Sequence, residues 1–161
     1  MATIFEKVKE AKSTYPVDVD RLAASLGISV VYVAMPEEVS GALVRKGDLY
    51  VITINQRHPR TRQRFTLAHE LGHYIHHRPI IGDGVNDSKT YRTTASDMHY
   101  NPRILPEHET EANQFAASLL MPMDIVDRLR TSRLSVEEIA KKLQVSHHAA
   151  AIRMGVPYNG P

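Results

Sequence analysis

The sequence predicts an α+β domain: a short antiparallel or mixed sheet packed on one long helix, with further helices toward the C-terminus. Three observations lead there. β-branched runs cluster between residues 28 and 54. A stretch of buried helical character, Phe65–Tyr74, follows almost at once. From Glu107 onward, the apolar spacing returns repeatedly to a helical period. The expected division is a core over residues 1–122, with the N-terminal helices and the sheet, and a helical segment over 123–161 packed on the same domain.

Ile4–Tyr15 reads as a short amphipathic helix with Ile4, Phe5, Val8 and Ala11 as its apolar stripe, ended by Pro16. Asp18 is placed to cap a second helix, Val19–Leu26, which stops at Gly27. Ile28–Val33 is a β-branched strand candidate, and Pro36-Glu37-Glu38 a turn. A hairpin follows: Gly41–Arg45, the turn Lys46-Gly47-Asp48, then Leu49–Ile54. One of these two hairpin strands is expected to form the sheet edge, where an extended peptide adds by backbone hydrogen bonds; an ordinary supporting sheet explains either strand equally well.

Next comes Phe65-Thr66-Leu67-Ala68-His69-Glu70-Leu71-Gly72-His73-Tyr74, with Thr61 a plausible N-cap ahead of it. It contains the pattern H-E-x-x-H. On a helix, positions i and i+4 lie one above the other, so His69 and His73 can hold one metal ion between their imidazoles. Glu70 lies one residue further round, where its carboxylate reaches a water beside that metal without binding the metal itself. The plain alternative is a buried helix with satisfied core histidines. Gly72 lowers helix propensity, and a glycine between the two histidines implies close approach of another backbone.

Residues 78–106 read as irregular, because Gly82, Gly84, Asn86, Asp87, Ser88, Pro102 and Pro106 interrupt every periodicity. Tyr91, Arg92, His99 and Tyr100 in this stretch are candidate donors to a developing oxyanion; taken singly, each is better explained as a solvated loop residue. A catalytic zinc needs one more protein ligand. The helix Glu107–Met121, ending near Pro122, offers it. Its apolar face is Ala112, Phe115, Ala116, Leu119 and Leu120. Glu109 falls within about 60° of the centre of that face, and Glu111 about 100° away on the other side, nearer solvent. Asn113, one turn after Glu109, is placed to hydrogen-bond a metal-holding histidine. Glu107 fits the helix start as an acid at the dipole. His76 and His77 follow the motif closely, and neither is needed as a ligand once Glu109 binds.

Composition limits the rest. The chain has 161 residues, 42% of them hydrophobic, a net charge of +2 with His neutral and no cysteine. No apolar run approaches the ~20 residues of a membrane span. Met1–Lys7 lacks a signal-peptide layout. A cytoplasmic protein without disulfides or thiolate ligands is the simplest expectation, and no strong field points to nucleic acid or membrane.

Phe65–His73 together with Glu109-x-x-Ala112-Asn113-x-Phe115-Ala116-Ala117-x-Leu119-Leu120-Met121-Pro122 resembles the ImmA/IrrE family of zinc metallopeptidases. Ser40–Val44 and Ile54-Asn55 resemble it too, and the likeness covers roughly residues 15–155. It implies a thermolysin-like core, a zinc cofactor, and site-specific cleavage of a protein substrate, typically a helix-turn-helix repressor. In mobile elements the family's target is an immunity repressor; in the stress-response branch it is a regulator of DNA-damage genes. Carried onto this chain, His69 and His73 match the metal ligands, Glu70 the catalytic base and Glu109 the third ligand. The 78–106 segment is long for the family, which leaves Glu111 open as an alternative third ligand. The chemistry implied is amide hydrolysis: zinc lowers the pKa of the attacking water toward ~7 and polarises the scissile carbonyl, while Glu70 moves the proton.

Asp124–Arg130 reads as a short helix, and Leu134–Met154 resembles a helix-turn-helix. Ser135 caps its first helix, with Glu138 at the capping-box position; Ile139, Ala140 and Leu143 form the core face, and Ser146 caps the second helix. Gln144 stands where the turn usually has Gly. The second helix offers only His147, His148 and Arg153 to a phosphate backbone, so packing or substrate docking is the better expectation than DNA binding. The rival functional reading is a non-catalytic regulatory protein that binds DNA or a partner through this segment. Oligomeric state leaves no trace in the sequence.

Overall fold

The computed structural model describes residues 1–81, 90–92, 103–158 and 160, with 90–92 described by backbone alone. Among these residues the chain forms seven helices and a four-stranded mixed sheet. Helix α1 (Ile4–Ala11) begins with a capping box between Thr3 and Glu6 and ends four residues before the expected Tyr15. Helix α2 (Val19–Ser25) is capped by Asp18, whose carboxylate accepts from the Arg21 N–H at 2.9 Å. Gly27 follows at φ +76°, the left-handed conformation that stops a helix cheaply only at glycine.

Strand β1 (Ile28–Val33) lies parallel to β3 (Leu49–Asn55), and β2 (Gly41–Lys46) is antiparallel to β3. The strand order is β1-β3-β2-β4, where β4 is the three-residue strand Thr90–Arg92 paired with Ala42–Val44. Two expectations change here. β3 is central and β2 is covered by β4 along Ala42–Val44, so neither hairpin strand is a free edge. Residues 78–106 are also not irregular throughout, since Arg78–Ile81 is helical and Thr90–Arg92 is a strand. The side chains of Tyr91 and Arg92, and all of His99 and Tyr100, lie outside the described residues.

Helix α3 (Arg60–Ile81) crosses the sheet. It starts before Thr61, so that residue is inside the helix and not its cap. Tyr50 of β3 meets Tyr74 edge-on at 5.0 Å, and Leu43, Ile52 and Ile54 are fully buried. Asn55 ends β3 as a buried bracket. Its amide donates to the carbonyls of Val39 (2.8 Å) and Pro36 (3.0 Å), and its side-chain oxygen accepts from Arg57 N–H at 3.0 Å. These bonds replace those a strand partner would supply, and they fix how the chain turns from β3 into α3.

Helix α4 (Pro106–Leu120) packs on α3. The expected close approach at Gly72 is present: a methyl built there would lie 3.1 Å from Ala112 Cα and 3.2 Å from its carbonyl oxygen. Those are backbone atoms, which yield only if α4 moves. We expect Gly72→Val to cost roughly 1–3 kcal/mol by overpacking. Gly72→Ala is expected to cost less, because its better helix propensity returns up to about 1 kcal/mol. Urea unfolding midpoints of the two variants measure this; a Val variant as stable as wild type would remove the close approach as a constraint.

Helices α5 (Met123–Thr131), α6 (Val136–Leu143) and α7 (His147–Met154) complete the chain. The capping box at Ser135/Glu138 and the cap at Ser146 are formed as the sequence predicts. Gln144 takes the left-handed conformation (φ 53°, ψ 47°) that glycine would adopt freely. Its carbonyl accepts from Arg64 Nε at 3.1 Å, and Arg153 Nε donates to the Met121 carbonyl at 3.0 Å. Ile139, Leu143, Val145 and Ala150 belong to the same buried cluster as Leu67, Leu71, Leu119 and Ile125. No described helix is long and apolar enough to cross a membrane.

Candidate metal centre

The middle of α3 is buried nearly all round, with His69 4% exposed and Glu70 and His73 fully buried. A polar group enters such a place at a cost unless it is partnered, and the histidines are partnered in a definite way. His69 Nδ1 lies 2.8 Å from Asn113 Oδ1, on the α4 turn above Glu109. An amide oxygen only accepts, so His69 Nδ1 carries the proton and Nε2 presents a lone pair. The Nε2 atoms of His69 and His73 stand 3.0 Å apart. Glu109 of α4 reaches both, at 3.2 Å from His69 Nε2 and 3.5 Å from His73 Nε2. Among the described residues, His69, His73 and Glu109 form the one group of three with ligand atoms close enough to share an ion.

The donor set fits zinc. Two imidazole nitrogens and one carboxylate are a catalytic-type ligand set. Ligands at about 2.0–2.1 Å from a tetrahedral zinc lie roughly 3.3 Å from one another, and the observed separations of 3.0, 3.2 and 3.5 Å bracket that value. Electrostatics agree. Burial pushes His73 down to about 4, against the pull of Glu109, so its ring is neutral near pH 7 as a ligand must be. Burial acts to raise the Glu109 carboxyl, but its contacts with the two imidazoles outweigh that and hold it at about 2.

Glu111, the alternative third ligand, is directed elsewhere. Its carboxylate meets His77 Nε2 at 2.7 Å, and that hydrogen bond holds it below the usual carboxylate range. His77 is 3% exposed, and its Nδ1 lies 3.0 Å from His73 Nδ1. Reading the sequence missed this contact. The signal was available: His69, His73 and His77 recur every four residues along one helix face. His77 sits at a kink in α3 (φ −123°, ψ 15°) two residues before Pro79. Proline lacks the N–H that would continue the ladder. His76 is exposed and meets the Phe115 ring at 5.6 Å. Glu107 is exposed at the start of α4, as expected.

A pH prediction follows for the metal-free protein. The unfolded chain protonates His73 near 6.5, whereas the fold refuses that proton until about 4. The unfolded state thus binds more protons in this window, and stability falls as pH drops from about 6.5 toward 4. Glu109 adds in the same direction at lower pH: its lowered value gives stability present above about 4.5 and lost toward 2. The urea midpoint is expected to be lower at pH 5 than at pH 7.5, and the drop to steepen with zinc bound because protons compete for the same nitrogens. Equal midpoints without metal would contradict the burial of a neutral His73.

A sheet lying across a helix with two inward histidines four apart, and a carboxylate from the next helix, gives this α+β domain a His-His-Glu group that could hold a metal ion. The chain belongs to the IrrE N-terminal-like domain family, a peptidase family whose pattern matches residues 23–154. It is similar to the radiation response metalloprotease IrrE of Deinococcus radiodurans, 35% identical over 104 residues that cover 62% of this chain and 29% of that protein. It is also similar to the protein of the same name from Deinococcus deserti, 34% identical over 108 residues, 63% of this chain and 34% of that one. The chain thus spans about a third of the length of the curated relatives it matches.

Proposed function

We propose that this chain is a zinc-dependent endopeptidase that hydrolyses a peptide bond in a protein substrate, in the first instance a helix-turn-helix transcriptional regulator. The observation that carries the reading is the convergence of His69 Nε2, His73 Nε2 and the Glu109 carboxylate beside the buried Glu70. Membership of a metalloprotease family supports it.

His69, His73 and Glu109 would hold the zinc, and Asn113 orients His69. A bound zinc supplies Lewis acidity, lowering the pKa of the attacking water toward ~7 and polarising the scissile carbonyl. Glu70 takes the proton from that water and delivers it to the leaving amine nitrogen. A carboxylate with no share in ligation is free to cycle between charged and neutral forms, as the two proton transfers require.

We also infer that residues 123–161 serve the peptidase domain rather than DNA. Arg153 is held by the Met121 carbonyl, and His147 and His148 contact Tyr158 at ring distances of 5.1 and 4.7 Å. These are the side chains that α7 would need for phosphates, and each has an internal contact. The test is to co-express the chain with helix-turn-helix regulators from its own genome and look for a discrete cleavage product that a zinc chelator abolishes. No product from any regulator, together with tight and salt-sensitive binding of random duplex DNA, would favour the non-catalytic reading.

A further inference from the structure

We propose that His77 and Glu111 are positioning residues for the metal centre: the chain Glu111–His77–His73 sets which nitrogen of His73 carries its proton. The inference rests on the metal site proposed above. An ionised carboxylate only accepts, so at 2.7 Å Glu111 requires a proton on His77 Nε2. In a neutral His77, that proton leaves Nδ1 as an acceptor. His73 Nδ1, 3.0 Å from it, must then be the donor. The proton of His73 is therefore on Nδ1, and Nε2 presents a lone pair toward His69 and Glu109.

The same result is reached for His69 by a single step through Asn113. The two ligands are thus prepared differently. His69 has a direct amide acceptor from α4, whereas His73 is reached through a second imidazole, with the carboxylate again on α4. Both relays start one turn or less from Glu109, so one helix supplies the third ligand and sets the tautomers of the other two. The kink at His77 belongs to this arrangement: at φ −123° the residue leaves the regular helical path at the point where its ring bridges α3 to α4. His108, whose ring centroid is 4.8 Å from that of His77, packs against the bridge.

The experiment is zinc affinity by chelator competition for wild type, His77→Leu, His77→Gln, Glu111→Ala and His76→Leu, with imidazole nitrogen NMR on the metal-free proteins. Removing an outer partner of a ligating histidine typically costs 10–100-fold in metal affinity. His77→Leu is expected to lose that much. His77→Gln retains an acceptor and is expected to recover most of it. Glu111→Ala is expected to lose less, and His76→Leu nothing. In the wild type without metal, His73 is expected as the Nδ1–H form; in Glu111→Ala that preference weakens. Glu111 is largely exposed, so this variant folds even where His77→Leu does not. A wild type that binds no zinc would overturn the metal site itself. Zinc affinity unchanged in both His77→Leu and Glu111→Ala, or an Nε2–H His73 in the metal-free wild type, would overturn the relay while leaving the site in place.

Discussion

Glu70→Gln is expected to hold zinc as the wild type does and to lose cleavage by at least the 10²–10⁴-fold that a general base supplies. The substitution keeps the shape and nearly the volume of the side chain. This matters because Glu70 is fully buried, and a smaller residue would confound chemistry with a cavity. It removes only the ability to accept a proton. Zinc content should stay near that of the wild type, since the ligand atoms belong to His69, His73 and Glu109. At 1.36 kcal/mol per tenfold, the loss corresponds to about 3–5 kcal/mol of barrier. The measurement is single-turnover cleavage of an identified regulator at matched zinc occupancy. A Gln variant that cleaves at a rate near wild type would take the proton-transfer role away from Glu70, whatever holds the metal.

What the sequence made legible, and what it did not, divides along sequence separation. Strand β1 has the expected ends, and the two caps at Ser135 and Ser146 form as read, because each is decided by residues within four positions. The inward turn of Glu109 could be read from helical angles alone, since the apolar face of α4 fixes which side is buried. The close approach at Gly72 was legible for a different reason: a glycine between two histidines has no local use in a helix. The failures are contacts between distant segments. The pairing of β4 with β2 depends on a strand that arrives from residues 90–92, and nothing within β2 announces it. Residues 78–106 read as irregular, but α3 runs on through Pro79 to Ile81 with a kink at His77. The bond between His77 and Glu111 spans 34 positions, and the two residues look like solvated neighbours of the motif until α3 and α4 are brought together.

The same packing decides the second large effect. Glu109→Ala is expected to lose zinc by more than the 10–100-fold that an outer partner costs, because it removes one of three ligands and leaves two imidazoles to hold the ion. Glu111→Ala, two residues away on the same helix, is expected to lose only the smaller increment that passes through His77. The contrast is sharp because a two-residue step on a helix turns the side chain by about 200°, so both acids cannot serve one ion. Here Glu109 faces the Nε2 pair at 3.2 and 3.5 Å while Glu111 faces His77 at 2.7 Å. Zinc per chain by elemental analysis, after reconstitution and desalting, measures both. About one zinc in the wild type with loss confined to Glu109→Ala fits the geometry. Loss in Glu111→Ala with retention in Glu109→Ala would mean that α4 sits two residues out of register when metal is bound. That outcome would also break the Asn113 contact to His69, so Asn113→Ala would then have no effect on affinity. Retained zinc in both variants would leave His69 and His73 with a ligand from outside the described residues.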